Sequence, residues 1–193
     1  MLGLRLATDP RWAELAENDL PAALSDHAYC EQKAASHAIS LILQYPQHSD
    51  LVAEMARVAQ EEMAHFAQVH HHLLKRGWTL GPPQKDAYVN QLAGCIGKGT
   101  GPEALLLDRL LFSAMIEARS CERFRILSER VHDAELAAFY RELLASEAEH
   151  YTLFLGFARS LCGRDVADRR WDAWLAFEAT LLPQYNRSPA MHG

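Results

Sequence analysis

Six side chains with metal-ligand chemistry recur at matching spacings in the two halves of this 193-residue chain. Each half supplies one glutamate and, further along, a Glu-x-x-His motif. Carboxylate oxygens mixed with imidazole nitrogens suit iron or manganese, whereas magnesium and calcium prefer all-oxygen sites and structural zinc usually takes thiolates. The sequence therefore predicts ligands for two divalent metal ions. The candidate ligands are Glu31, Glu62, His65, Glu117, Glu147 and His150.

The register of the two halves strengthens this prediction. Glu31 and Glu117 are 86 residues apart, and Glu62 and Glu147 are 85 apart, as are His65 and His150. Residues at i and i+3 share a helix face, so the Glu and His of each motif point the same way. All six interrupt apolar stripes of alternating three- and four-residue spacing. Because an unpaired buried carboxylate is very costly, a buried group of four requires a cation.

Long helices must position these residues, since no segment shows the strict alternation of a half-buried strand. Asp19, Ser49, Asp86 and Asp133 are expected N-caps, and Pro183 is expected to end the last helix. One long connection, residues 77–101, separates two helices from the next two. This order predicts an all-α, ferritin-like four-helix bundle with one long crossover and an additional C-terminal helix. The expected helices span about 21–45, 49–76, 102–130, 133–162 and 168–182.

Composition narrows the class of protein. Hydrophobic residues make up 49% and charged residues 23% of the chain, which predicts a single globular domain over residues 1–193. A net charge of −6 argues against a protein that coats nucleic acid through a positive overall charge. The chain has no stretch of 18 apolar residues, and its first 15 residues lack the apolar core of a signal peptide, so we expect neither a membrane span nor a signal peptide. The four cysteines form no CxxC pair, and we expect them reduced in the cytoplasm. They are Cys30, Cys95, Cys121 and Cys162.

Several further residues are expected to have structural roles. Glu61, Glu122 and Glu149 lie off the stripes and are expected on solvated faces or just outside the metal ligands. The run His70–His72 is expected at the surface. The arginines after Glu117 are expected to be exposed and paired with Glu122 and Glu129, with a role beside the ligands as the alternative for one of them. Those arginines are Arg119, Arg123 and Arg125.

Other catalytic motifs are absent. The glycines of GCIGKGTG lack the Walker spacing, and neither HExxH nor GxSxG occurs. A di-iron carboxylate site can catalyse C–H hydroxylation, desaturation, radical generation, peroxide chemistry or the oxidation of iron for storage. From the residues alone, the function is therefore a ferritin-like di-metal oxidoreductase.

At these residues the sequence resembles a known family, the MiaE-type tRNA hydroxylases. The similarity covers roughly residues 10–162. The resemblance implies a non-haem di-iron monooxygenase that hydroxylates the isopentenyl side chain of 2-methylthio-N6-isopentenyladenosine beside the tRNA anticodon. It implies O₂ as co-substrate, a separate electron-donor protein and the same six residues as iron ligands. The similar stretches are DHAYCEQKAA, EEMAHFAQV, LLFSAMIEARSCERF and LLASEAEHYTLF.

A tRNA substrate requires local positive charge despite the net negative chain. The candidate contacts are Lys75, Arg76, Lys85, Lys98 and Arg119, with Trp78 and Tyr88 as base-stacking candidates. Two alternatives stay open. One is a di-iron enzyme acting on a quinone or lipid, with the apolar residues of 168–182 facing a membrane. The other is an iron-storing or peroxide-consuming protein. The sequence does not indicate an oligomeric state.

Overall fold

A computed structural model describes residues 2–97, 101–185 and 190–191. The chain divides into two compact units. One comprises residues 16–85, and the other comprises the residues before 16 together with those from 86 onward. Every regular element in the described ranges is a helix, which confirms the all-α expectation. The single domain expected from the length stays a prediction.

The unit of residues 16–85 is a pair of long helices. A short helix, α1 (Trp12–Asn18), begins in the other unit and leads into α2 (Leu20–Gln44). Helices α2 and α3 (Ser49–Lys75) pack against each other. Asp19 caps α2 as expected, because its side chain accepts from the Ala22 N–H. The expectation that Ser49 caps α3 is wrong. Ser49 is the first helical residue, and the cap position belongs to His48, whose side chain makes no capping bond.

Gly77 ends α3. Its φ is +74°, a conformation that side chains other than glycine rarely adopt. The Gly77 N–H donates to the Leu74 carbonyl and the Trp78 N–H donates to the Leu73 carbonyl. These two bonds are a Schellman motif, which satisfies carbonyls that the helix leaves unpaired.

The other unit holds the remaining helices. These are α4 (Ala87–Leu92), followed by a 3₁₀ turn at Ala93–Cys95, then α5 (Pro102–Arg130), α6 (Ala134–Cys162) and α7 (Arg164–Tyr185). Helices α5 and α6 pack along their length, and α7 packs on α4, α5 and α6. Asp86 and Asp133 cap α4 and α6 as expected.

The bounds of α7 and the presence of α1 differ from expectation. Helix α7 begins at Arg164, four residues early, and continues past Pro183 to Tyr185. The prediction that Pro183 ends the helix is wrong. Because Pro183 lies in the last turn, its missing N–H costs only the bond to the Ala179 carbonyl. Helix α1 was not predicted at all.

The predicted apolar stripes form the interior of each unit. The stripe on α3 is buried from Leu51 to His72. On α2, Leu41 is buried and Ile42 is half-buried. On α7, Trp171, Trp174, Leu175 and Leu181 are buried within their own unit, so they do not form the membrane-facing surface of the quinone or lipid alternative. In the part of the chain that is described, no helix has the length and hydropathy to span a membrane.

Candidate metal centre

Helices α2 and α3 bring three predicted ligands together inside the unit of residues 16–85. We call Glu31, Glu62 and His65 the N-terminal triad. One ligand atom of each lies within 4.8 Å of the other two. His65 Nδ1 is 3.7 Å from Glu31 Oε2 and 3.4 Å from Glu62 Oε2. All three side chains are buried. Glu62 and His65 are one helical turn apart on α3, as their spacing predicted.

The electrostatics of the N-terminal triad favour a cation. Burial raises the pKa of Glu31 well above its usual range, and the negative charge of Glu62 raises it further. The His65 hydrogen bond opposes these effects. Two carboxylates in a dry site repel each other, and a positive ion between them removes that cost.

Helices α5 and α6 bring together the other three predicted ligands in the second unit. We call Glu117, Glu147 and His150 the C-terminal triad. One ligand atom of each again lies within 4.8 Å of the other two. All three are buried, and His150 has no exposed surface. Each unit therefore holds a buried Glu–Glu–His cluster.

Cys121 is not part of the C-terminal triad, because among the described residues its Sγ is not in the group of ligand atoms that lie within 4.8 Å of one another. It is buried on α5, and burial together with the charge of Glu147 raises its pKa to about 12. A thiol with that pKa is protonated at neutral pH. The donors of each triad are thus oxygen and nitrogen, a set that fits iron or manganese. A di-iron site is compatible with both triads.

His27 is a site residue that the sequence reasoning missed. Its Nε2 lies 2.6 Å from Glu31 Oε1, and the imidazole has no exposed surface. The signal was present, since His27 precedes Glu31 by four residues on the same helix and therefore shares its face. No such histidine stands at the matching place before Glu117, so the repeat gave no hint of it.

A buried ionic network occupies the second unit, where surface charges were expected. Arg119 has no exposed surface and pairs with Glu122 and, through Nη2 at 2.6 Å, with Glu178 Oε1. Thr8 donates to Glu122 through its N–H and its hydroxyl. Tyr88 donates its hydroxyl to the same Glu178 oxygen at 3.0 Å. The predicted pairing of Arg119 with Glu122 is confirmed, but the expected exposure of Arg119 is wrong, and Glu122 does not lie on a solvated face.

Arg123 is also fully buried rather than exposed. Its guanidinium lies 4.7 Å over the Trp12 ring and donates to the carbonyls of Ala190 and Met191. Burial and the positive charge of Arg119 lower its pKa to about 10, so it remains charged at neutral pH. Arg125 does pair with Glu129 near the surface, as expected.

The candidate tRNA contacts divide into three groups. Lys75 is exposed at the end of α3, Arg76 is half-buried, and Lys85 is exposed. Lys98 lies outside the described residues. Arg119 and Tyr88 are buried, so their expected contacts with tRNA are wrong in this conformation.

The remaining expectations have mixed outcomes. His71 is exposed and His70 half-buried, but His72 is buried, so the expected surface run ends one residue early. Glu149 is exposed as expected. Glu61 is half-buried and pairs with Arg57 at 2.6 Å. The described cysteines carry thiols rather than disulfides, and they are Cys30, Cys95, Cys121 and Cys162.

Comparison with known proteins identifies the family of this chain. The model of the family described as tRNA-(MS[2]IO[6]A)-hydroxylase (MiaE) matches residues 2–193. The chain belongs to the MiaE family of tRNA hydroxylases. It is 42% identical to the Pseudomonas putida tRNA 2-(methylsulfanyl)-N(6)-isopentenyladenosine(37) hydroxylase over 153 residues, 79% of this chain and 73% of that protein. It is 29% identical to the Salmonella typhimurium enzyme of the same name, over 86% of this chain and 78% of that one.

A solved structure supports the fold. The chain is similar to protein 43 from Synechococcus, described as having aldehyde deformylating oxygenase activity, with a TM-score of 0.92 and 33% identity. The match covers 98% of this chain and 95% of that one. The ferritin-like, all-helical fold expected from the sequence is confirmed. Membership of the family also confirms the expectation of an oxygenase that acts in tRNA modification.

Proposed function

We propose that this protein hydroxylates the isopentenyl side chain of 2-methylthio-N6-isopentenyladenosine at position 37 of tRNA, beside the anticodon. One observation carries the proposal: in a chain that belongs to the MiaE family over residues 2–193, both Glu–Glu–His triads are buried. The balanced reaction consumes O₂, two electrons and two protons, and it gives the alcohol and one water.

The two triads together hold two iron ions in this proposal. Glu31, Glu62 and His65 supply one half of the site, and Glu117, Glu147 and His150 supply the other. Iron held by these residues would supply the activation of O₂ that insertion of one oxygen atom into an unactivated C–H bond requires. Two divalent ions would neutralise the four negative charges of the carboxylates. This neutralisation explains how four acids are tolerated in a dry interior. Burial also keeps bulk water from the reacting atoms.

The partners follow from the reaction. The enzyme receives its electrons from a separate donor protein and works in the cytoplasm, where tRNA is modified. Lys75 and Arg76, at the end of α3, contact the phosphates of the anticodon stem-loop. Lys98 remains a further candidate from the sequence.

The decisive experiment is the nucleoside profile of bulk tRNA, measured by liquid chromatography and mass spectrometry in the source organism and a deletion strain. We expect the deletion strain to lose the hydroxylated nucleoside and accumulate its precursor. The wild-type gene restores the hydroxylated form, and a gene encoding Glu117→Ala does not. An unchanged profile, in an organism that makes the modification, would reject the function.

The Synechococcus protein makes an aldehyde oxygenase the second candidate function, because the two chains are alike over nearly their whole length. An assay of the reconstituted protein with aldehydes tests it directly. Turnover of an aldehyde together with an unchanged tRNA profile would favour this candidate over the tRNA hydroxylase.

A further inference from the structure

His27 is a buried neighbour of the N-terminal triad. Its Nε2 lies 2.6 Å from Oε1 of Glu31, and both side chains are buried. The other oxygen of Glu31, Oε2, is 3.7 Å from His65 Nδ1, inside the N-terminal triad. One oxygen of the carboxylate is therefore turned toward His27 and the other toward the remaining ligands.

The matching position in the second half carries no imidazole. The 86-residue offset that relates Glu31 to Glu117 relates His27 to Ser113. Ser113 is buried, and its hydroxyl donates to the Arg109 carbonyl of its own helix at 3.2 Å. The repeat that places the six ligands is thus broken one helical turn before the first ligand of each half.

We propose that His27 is a positioning residue that holds Oε1 of Glu31, leaves Oε2 to bind metal, and so makes the two metal positions unequal in affinity. The inference rests on the ligand set of the proposed function. A hydrogen bond to a ligating carboxylate fixes its orientation, and loss of such a bond typically costs about 10- to 100-fold in metal affinity. Ser113 has no comparable effect on its half.

The test measures metal binding itself, so it is independent of turnover. Metal-free protein is titrated with Co²⁺ alone, and the absorbance of the bound ion reports stoichiometry and affinity. The wild type is expected to bind two Co²⁺ ions with different affinities. His27→Leu, which keeps the volume and removes the N–H, is expected to weaken one of them about 10- to 100-fold. The matched control, Ser113→Ala, is expected to leave both affinities unchanged.

Two further variants separate positioning from a general packing role. His27→Gln keeps a donor N–H and is expected to retain more affinity than His27→Leu. In a Glu31→Ala background, His27→Leu is expected to cause no further loss of affinity, because its effect passes through Glu31. Circular dichroism sets a titration temperature at which every variant is folded.

Each result has a distinct meaning. If the wild type binds two ions and His27→Leu binds both with the wild-type affinities, this inference fails while the proposed metal centre stands. Equal losses in His27→Leu and Ser113→Ala, or an additional loss in the Glu31→Ala background, would also overturn it. If the wild type binds no Co²⁺, the metal centre of the proposed function fails, and the inference fails with it.

Discussion

Buried acids dominate the chemistry of this protein at the scale of single residues. Glu31, Glu62, Glu117 and Glu147 are each at most 5% exposed, and a histidine lies beside each pair. Without a cation, such a group destabilises the folded state, because each buried carboxylate must be protonated or pay for its desolvation. Bound metal ions and these side chains therefore stabilise each other.

Removing one ligand should release metal without unfolding the chain. We expect Glu117→Ala and His150→Ala each to lose at least one iron ion per protein, since each deletes a donor of the C-terminal triad. Helix content should persist, because the flanking stripes still pack. Iron analysis of the purified protein measures the loss, and far-ultraviolet circular dichroism measures the helix. Glu149→Ala, an exposed acid on the same helix as His150, is the control and should keep its iron.

The six ligands were predictable from the sequence because they interrupt apolar stripes at matching positions in the two halves. A charged residue on a buried stripe is costly without a partner, so such an interruption indicates a binding site. His27 and the Arg119 network were not predictable. Arg119 lies on α5 among other charged residues, and its partner Glu178 is 59 residues away in the sequence. Tyr88, which donates to the same Glu178 oxygen, is 31 residues from Arg119. Nothing local to Arg119 distinguishes a buried charge with distant partners from an exposed one.

The buried network should be costly to break from one side. Arg119→Ala leaves Glu178 and Glu122 without their buried positive partner, and we expect it to lower the free energy of unfolding by about 3–5 kcal/mol. Urea denaturation followed by circular dichroism measures the change. Arg125→Ala is the matched control on the same helix, since its pair with Glu129 is near the surface and contributes about 0–1 kcal/mol. Equal effects of the two substitutions would contradict the role of the network.

At the scale of elements, a helix boundary was predictable where the residues that determine it lie within a few positions of each other. Asp19, Asp86 and Asp133 cap their helices as expected, because an Asx side chain reaches N–H groups only two or three residues ahead. Pro183 did not end α7, because a proline in the last turn removes a single bond. Helix α1 escaped prediction, since seven residues are too few to show a periodic apolar pattern.

The caps give a prediction at the scale of elements. Asp133 accepts from the N–H groups of Glu135 and Leu136, so Asp133→Ala should cost about 1 kcal/mol of unfolding free energy. Ser49→Ala should cost much less, because the cap of α3 lies one residue earlier and Ser49 makes no capping bond. Thermal melts of both variants at one pH check the difference. A larger loss for Ser49→Ala would contradict the boundary of α3.

At the scale of the whole molecule, the charge of the chain must be reconciled with a polyanionic substrate. The net charge is −6, yet four of the acids are the proposed metal ligands, whose charge two divalent ions would cancel. The surface is therefore less acidic than the sequence total suggests, and exposed cations such as Lys75 carry more weight in attracting tRNA.

Salt dependence tests where tRNA binds. If Lys75 and Arg76 contact phosphates, Lys75→Gln and Arg76→Gln together should weaken tRNA binding and reduce the slope of log K against log salt by about 1 for each phosphate that the protein no longer neutralises. Filter binding at several salt concentrations measures both quantities. Arg57→Gln removes one positive charge from the helix that carries Lys75, and Arg57 lies between the carboxylates of Glu54 and Glu61, so the slope of this control should match the wild type. A wild-type slope in the double variant would remove the end of α3 from the docking surface, because counterion release depends only on the phosphates that the protein neutralises.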